Sequence, residues 1–409
     1  MKKTILISII LLFIAASDMS ACTTAVISGK YTKDGRPLLW KHRDTWFVKN
    51  KIMQFDDGKY PYTGLVNSLD TAGSSIWIGY NSTGFGIMNS ASYNLNNDTI
   101  TQSGLEGRLM KEALQTCANV DEFEQFLLDM PEPRRLEANF GVIDGNGGAA
   151  YFELGNYKVI KIDANDPIIA PNGYVIRTNY SFNGIAGEGG GYIRYVTANK
   201  VLDEAVKSNE LSAQTIIQKA SRNLTHSLTE DNLWDYENLK AGESQMVFFM
   251  DYIPRSGSSS SCVVEGVKPG ENPNLSTMWT VLGWPLASVT IPVFINKNAD
   301  IPDVLTYNEE IGDAPLCNFA LTLKDECYSQ KWGTSKKYYL DVNKLLNVDG
   351  TGIMQQNIAL DNALFDQSYD LLNRWREEGM SEQELSEFYK NVDNQVKMHY
   401  STTYGLSVD

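Results

Sequence analysis

The sequence predicts an α+β fold: stacked sheets flanked by helices, with a helical C-terminal part. Three observations predict it. Short apolar runs bounded by turn residues crowd the first half of the chain. Helical periodicity appears between these runs and dominates the C-terminal part. No internal repeat, low-complexity tract or long linker divides residues 22–409, so they read as one domain.

The elements follow in order. "CTTAVIS" from Cys22 is strand-like, "YTKDG" supplies turn residues, and "RPLLWKHRD" is a second strand. Further strands are expected at "SSIWIGYN", "GFGIMNSAS", "NFGVIDG", "GAAYFELG", "YKVIKID" and "GYVIRTN", with a hairpin turn at Asp144-Gly145-Asn146-Gly147. Helices are expected at "SGLEGRLMKEALQTC", "VDEFEQFLLDM" and "YIRYVTANKVLDEAVK". Strands return at "ESQMVFFMDYI", "SSSCVVEGV" and "STMWTVLG". Near the end, Leu360, Leu364, Leu371, Leu372 and Trp375 share a helix face that Gly379 can terminate. Ser381 and Glu384 form a capping box for the next helix, whose apolar stripe runs from Leu385 to Val396 and continues to His399 as a core or interface residue.

Residues 1–21 read as a secretory signal, or as a signal cut after Ser17 plus a short propeptide, Asp18 to Ala21, left for self-removal by Cys22: Lys2 and Lys3, an apolar run from Thr4 to Ala16, then a small polar stretch ending at Ala21. The run is too short for a membrane span, and "WTVLGWPLASVTIPVFI" (279–295) is broken by prolines and a glycine into buried strands and turns. The expected location is therefore periplasmic or secreted. The formal net charge is −15, which repels phosphate backbones and argues against a nucleic-acid partner. The sequence leaves the oligomeric state open.

Five cysteines leave at least one thiol unpaired in an exported chain. Cys317 and Cys327 are spaced to close a small disulfide loop or to remain thiols. Cys117 falls on an apolar helix face, and Cys22 is the candidate for a functional thiol. If the hairpin turn centres near 32–35, Cys22 lies opposite residues 44–47, and "KHRD" (41–44) is delivered beside it, with cross-strand Cβ atoms ~5 Å apart. Lys41 and Arg43 then share one strand face, His42 and Asp44 the other. Cleavage before Cys22 would place a thiol and an α-amine of pKa ~7.7–8.0 on one residue. Such an amine can take the thiol proton, and a carboxylate such as Asp44 can hold it.

"CTTAVISGKYTKDGRPLLWKHRD" resembles the start of the N-terminal-nucleophile (Ntn) amide hydrolases, in the branch of the bile-salt and penicillin V hydrolases and the isopenicillin N acyltransferase group. The resemblance runs in ordered pieces over about 22–195. It implies an αββα sandwich, attack of Cys22 on an amide carbonyl, and a small-molecule N-acyl amide substrate. "GYNSTGFGIMNSAS" is similar to the segment that leads to an oxyanion-hole asparagine, here Asn89. "VIRTN" is similar to the segment carrying a second asparagine, here Asn179. Arg194 in "GYIRYVTANKVL" matches one family arginine, while the arginine a few residues earlier is Gly191 here. Three residues before the aspartate the bile-salt enzymes have arginine; this chain has Lys41, with Arg43 next to Asp44. The expected catalytic set is Cys22, Asp44, Arg43, Asn89, Asn179 and Arg194. Lys41 and Trp46 are expected at the substrate, with Trp40, Trp77 and Tyr93 giving the acyl side an apolar character.

Asp251 and Arg255 either line the pocket or form a structural ion pair, and His226 is expected in a surface loop. No HExxH, CxxC, P-loop or dinucleotide fingerprint is present, so no metal or cofactor is implied. "MSAC" also approximates a lipobox, which would make Cys22 a lipid anchor and the protein a binding module. A strand that begins at the cysteine, in place of a flexible polar linker, favours the enzyme. The acyl-enzyme then passes its acyl group to water or to an amine.

Overall fold

The structure, a computed structural model, describes residues 21–330, 333 and 336–408. The expected signal segment lies outside these residues except for Ala21. The strands are β1 (Cys22–Ile27), β2 (Leu38–Asp44), β3 (Asn50–Phe55), β4 (Tyr62–Asn67), β5 (Ile78–Asn81), β6 (Gly86–Ala91), β7 (Ala138–Ile143), β8 (Ala149–Leu154), β9 (Val159–Asp163), β10 (Tyr174–Arg177), β11 (Met246–Phe248), β12 (Ser258–Glu265), β13 (Thr277–Leu282), β14 (Ile291–Val293) and β15 (Tyr339–Asp341). The helices are α1 (Glu106–Thr116), α2 (Val120–Asp129), α3 (Tyr192–Lys207), α4 (Ala213–Thr215, continuing as the π-turn Ile216–Ser221), α5 (Pro315–Cys327), α6 (Ile353–Glu378) and α7 (Glu382–Tyr404).

Two antiparallel sheets dominate. One has six strands in the order β10-β1-β2-β12-β13-β14; the other is a seven-stranded meander from β3 to β9. Alternation along β1 and β2 builds the layers. Val26 and Leu39 point between the sheets, against Ile52, Leu65, Ile78 and Tyr151 of the meander. Ala25, Ile27, Leu38 and Trp40 point the other way, against α3, α6 and α7 through Leu202, Phe365, Trp375 and Tyr389. The outer face of the meander is covered by α1 and α2, through Leu109, Met110, Phe123 and Leu127. The result is a four-layer αββα sandwich, as the N-terminal resemblance implies.

Most of the expected strands and helices are present, including the β7–β8 hairpin and the broken strands at 279–295. Three expectations are corrected and one open choice is settled. The β1–β2 register puts Cys22 opposite Arg43, one residue short of the expected window. The connection between the strands opens with a 3-10 turn at Gly29–Tyr31, and the Thr32 hydroxyl ties the Gly29 and Arg36 carbonyls together, which moves the hairpin centre back. Cys317 and Cys327 sit at opposite ends of α5, about 15 Å apart along its axis, and all five cysteines are free thiols. The Ser381 hydroxyl accepts the Glu384 N–H, but the Glu384 carboxylate turns to Trp375 and Arg374, so only half of the capping box forms. His226 is buried against Tyr252, and its Nδ1 pairs with the Thr229 hydroxyl. Strands β3 and β4 and helix α5 were not anticipated from the sequence. No helix among the described residues is long and apolar enough to cross a membrane.

Candidate active site

Cys22 is the first residue of β1 and is 6 % exposed. Its strand alternation sends the thiol side chain between the sheets, on the same face as Arg43 across the ladder and Lys41 two residues along. β1 lies between β10 and β2, but the β10 ladder covers only Thr24–Ile27, so Cys22 itself pairs with β2 alone. At its backbone, the Cys22 N–H donates to Asn179 Oδ1 at 3.1 Å. Its carbonyl accepts from Arg194 Nη1 at 2.6 Å. The same guanidinium donates to the Thr23 hydroxyl and to Asn179 Oδ1, so Arg194, Asn179 and Cys22 form one closed hydrogen-bonded unit.

Arg194 comes from the first turn of α3, and Gly191 makes room for it. A Cβ at Gly191 would lie 2.3 Å from Arg194 Nη2, and the residue has φ +89°, where a side chain is strained. Arg194 thus occupies the volume that the glycine leaves.

Lys41 is fully buried and donates to Asn89 Oδ1 at 2.6 Å. An ammonium can only donate, so the Asn89 carbonyl oxygen is the end that meets Lys41, and its NH₂ is left for other acceptors. Arg43 donates to Asn50 Oδ1 and to Asn67 Oδ1, and its guanidinium lies 4.5 Å from the centre of the Trp77 ring. Lys41 Nζ approaches the same ring at 5.7 Å. Burial pushes the Lys41 ammonium down to about 8, partly opposed by the nearby Cys22 sulfur. Burial also lowers Arg43 and Arg194, each to about 10, so both remain charged at neutral pH. His42, on the opposite face, is pushed by burial down to about 4 and is neutral there. Tyr93 lies in the same electrostatic environment, its phenol raised to about 12 by burial and then by Cys22.

Asp44 ends β2 on the face opposite the thiol. It accepts from Arg255 Nη2 at 2.6 Å and from the Ser258 hydroxyl, at the bulge where β12 shifts register against β2. The Arg255 guanidinium also reaches the Ala21 carbonyl, at 3.4 Å. Asp44 is therefore linked through Arg255 to the peptide bond that precedes Cys22. The ion pair of Arg255 is with Asp44, not with Asp251.

Of the residues expected from the sequence, Cys22, Lys41, Arg43, Asn89, Asn179 and Arg194 come together, and Asp44 adjoins them through Arg255. Asn179 faces Cys22 with its carbonyl oxygen, and its NH₂ donates to the Ala91 carbonyl, so it positions the cysteine nitrogen. Trp46 stands apart from this group: it is 66 % exposed and holds the Lys337 ammonium over its ring. Trp77 is the tryptophan that meets the two cations, and Trp40 faces the helices. Ser258 was not singled out from the sequence, and Arg255 was left between lining the pocket and an ion pair; the serine-rich strand start after Arg255 was the available signal.

No family model matches this chain. No curated protein matches it. Among solved structures, the chain is similar to the conjugated bile acid hydrolase of Clostridium perfringens, at 11 % identity and TM-score 0.41, over 69 % of this chain and 94 % of that one. It is similar to a Caenorhabditis elegans ortholog of N-acylethanolamine-hydrolyzing acid amidase, at 14 % identity and TM-score 0.35, over 49 % and 88 % of the two chains. A penicillin V acylase from Agrobacterium tumefaciens is similar at 10 % identity and TM-score 0.34, over 68 % and 86 %.

Proposed function

We propose that the protein is an exported N-terminal-cysteine amidase that hydrolyses a linear N-acyl amide through a Cys22 acyl-enzyme. The observation that carries this reading is the enclosure of Cys22. Its nitrogen is held by Asn179, its carbonyl by Arg194, and its thiol face is shared with two buried cations, one of which orients Asn89. A lipid-anchored cysteine needs a free, solvent-facing sulfur, and a buried first strand residue does not supply one.

Once the Ala21–Cys22 bond is cut, the α-amine occupies the position from which the amide N–H now donates to Asn179. The neutral amine takes the thiol proton, and the thiolate attacks the substrate carbonyl carbon. The oxyanion that forms is met by the Asn89 NH₂ and by the positive field of Lys41; one such donor is worth about 3–4 kcal/mol. Collapse returns the α-ammonium proton to the leaving amine and leaves a thioester on Cys22. Water, deprotonated by the same α-amine, then releases the acid. Three buried cations, Lys41, Arg43 and Arg194, beyond the Arg255–Asp44 pair, in a chain of net charge −15 favour an anionic group on the amine side of the substrate, as in glycine or taurine conjugates and N-acyl amino acids.

Intact mass and N-terminal sequencing of the exported protein test the first requirement: an unmodified Cys22 at the chain end is expected, and a diacylglyceryl increment would end the reading. The processed protein is then offered glycine- and taurine-conjugated bile acids, penicillin V and N-acyl amino acids. Release of the amine is expected from at least one apolar N-acyl compound. Transfer of the acyl group to an added amine without hydrolysis would reassign the protein as an acyltransferase.

The pH dependence separates two groups by sign. Activity rises as the Cys22 α-amine loses its proton near ~8. It falls as Lys41, needed as a cation, loses its proton through about 8. The kcat/KM profile is expected to be a narrow bell, and Lys41→Arg, which stays charged, is expected to remove the alkaline fall while keeping the acid limb. An alkaline limb unchanged by Lys41→Arg would clear Lys41 of this role. For stability the sign is the opposite of a paired lysine: the folded value lies below the unfolded ~10.4, so burial of the charge costs stability below pH 8, and that cost fades between pH 8 and 10.4.

A further inference from the structure

A second cleft lies away from Cys22, between the π-turn Ile216–Ser221, the loop 285–288 and the first turns of α6. Its volume is about 400 Å³ including its mouth. Its apolar wall is Trp234, Leu286, Met354 and Ile358, and its polar wall includes Gln218, Arg222 and Asn357. Asn357 is 4 % exposed. Its Oδ1 accepts from the Tyr404 hydroxyl at 2.8 Å and pairs with His399 Nε2 at 2.8 Å. Its Nδ2 has no partner. A buried amide donor without an acceptor among the described residues costs about 1–3 kcal/mol, and Asn357 is one of the residues that line the cleft.

The charges around the cleft cancel. Arg222 is spent on Asp361, with Nη1 and Nη2 donating to the two carboxylate oxygens at 2.8 and 3.0 Å. Its Nε and Nη2 also donate to the Pro285 and Ser288 carbonyls. Gln218 Nε2 donates to Asn362 at 2.7 Å. His399 behind Asn357 is held neutral by burial. No net charge is left to meet an ion. The π-turn itself inserts an extra residue into the helix, a distortion that recurs at binding sites.

We infer that this cleft binds a small uncharged amphiphile, whose carbonyl or hydroxyl oxygen accepts the Asn357 Nδ2 hydrogen bond while its apolar body lies on Met354, Ile358 and Trp234. The inference does not rest on the amidase reading.

Hexanamide is the probe, with hexanoate and hexylammonium as charged counterparts, titrated into the Cys22→Ala protein and followed by calorimetry and by tryptophan fluorescence. Saturable binding of hexanamide is expected, with both ions at least tenfold weaker, and with a fluorescence change that Trp234→Phe abolishes. Asn357→Leu is expected to weaken binding at least tenfold. Because Asn357 also holds Tyr404 and His399, Ile358→Glu provides a second variant: Ile358 is 47 % exposed, so the fold tolerates the change while the apolar wall is lost. Absence of saturable binding would mean that water alone fills the cleft and would overturn the inference. Undiminished binding in Ile358→Glu, or a preference for either ion, would also overturn it.

Discussion

Cys22→Ala is expected to reduce amide turnover by at least about 10⁴-fold, on the scale seen when a covalent nucleophile is removed. The fold should persist. The side chain exchanges a buried thiol for a methyl group, and the Asn179 and Arg194 contacts are made to the backbone of residue 22, which alanine also has. The near-identical far-UV spectrum and melting temperature expected for the variant separate loss of chemistry from loss of structure. Cys22→Ser retains a weak nucleophile on the same scaffold and is expected to keep a trace of activity. Wild-type turnover by the alanine variant, with a confirmed chain end at residue 22, would remove Cys22 from the reaction. The other four thiols are buried in the core and offer no substitute: Cys262 is raised by burial to about 12, and Cys317 and Cys327 are raised well above the ordinary thiol range.

The second large effect is expected for Asp44→Asn. Asp44 is 3 % exposed, and its carboxylate is the partner of Arg255 and Ser258. The substitution keeps the shape and removes the charge. Arg255 is then left as a nearly buried cation facing an amide, and breaking such a pair costs about 3–5 kcal/mol. kcat is expected to fall by at least about 10²-fold, the scale of an acid–base contribution, because the guanidinium that lies beside the chain end exposed at Cys22 is no longer anchored. The double variant Asp44→Asn with Arg255→Met tells the two losses apart: stability should return in large part, while activity should not. If kcat in the single variant equals that of the wild type, Asp44 is a strand residue with a structural ion pair and nothing more.

Periodicity made the sheets and the long C-terminal helices legible. β7 and β8 alternate on either side of an Asp-Gly-Asn-Gly turn, and the stripes of α6 and α7 repeat cleanly. β3 and β4 were not legible, because "NKIMQF" and "YTGLVN" are short, half-polar strands whose buried face exists only once the other sheet is opposite them. α5 was hidden for a related reason. It is apolar on most of its surface because it packs into the core, so its two cysteines looked like a loop pair instead of the ends of one helix.

The sequence by itself determined the nucleophile candidate, the strand that carries it, and the neighbours delivered by the local hairpin. Cys22, Lys41 and Arg43 are brought together by a short antiparallel pairing, whose alternation is a property of the backbone. Only the tertiary structure decided the register, which a turn residue or two can shift, and the roles of residues that arrive from far along the chain. Asn179 presents its carbonyl to Cys22 because Ala91 takes its NH₂. Asn89 gives its carbonyl to Lys41. An asparagine side chain is donor and acceptor at once, and which end meets the cysteine is fixed by partners that no local pattern names. Arg255 belongs with these. Its sequence neighbourhood allowed a pairing with Asp251, but the β12 bulge carries it to Asp44, because a buried carboxylate must find its cation in space and not along the chain.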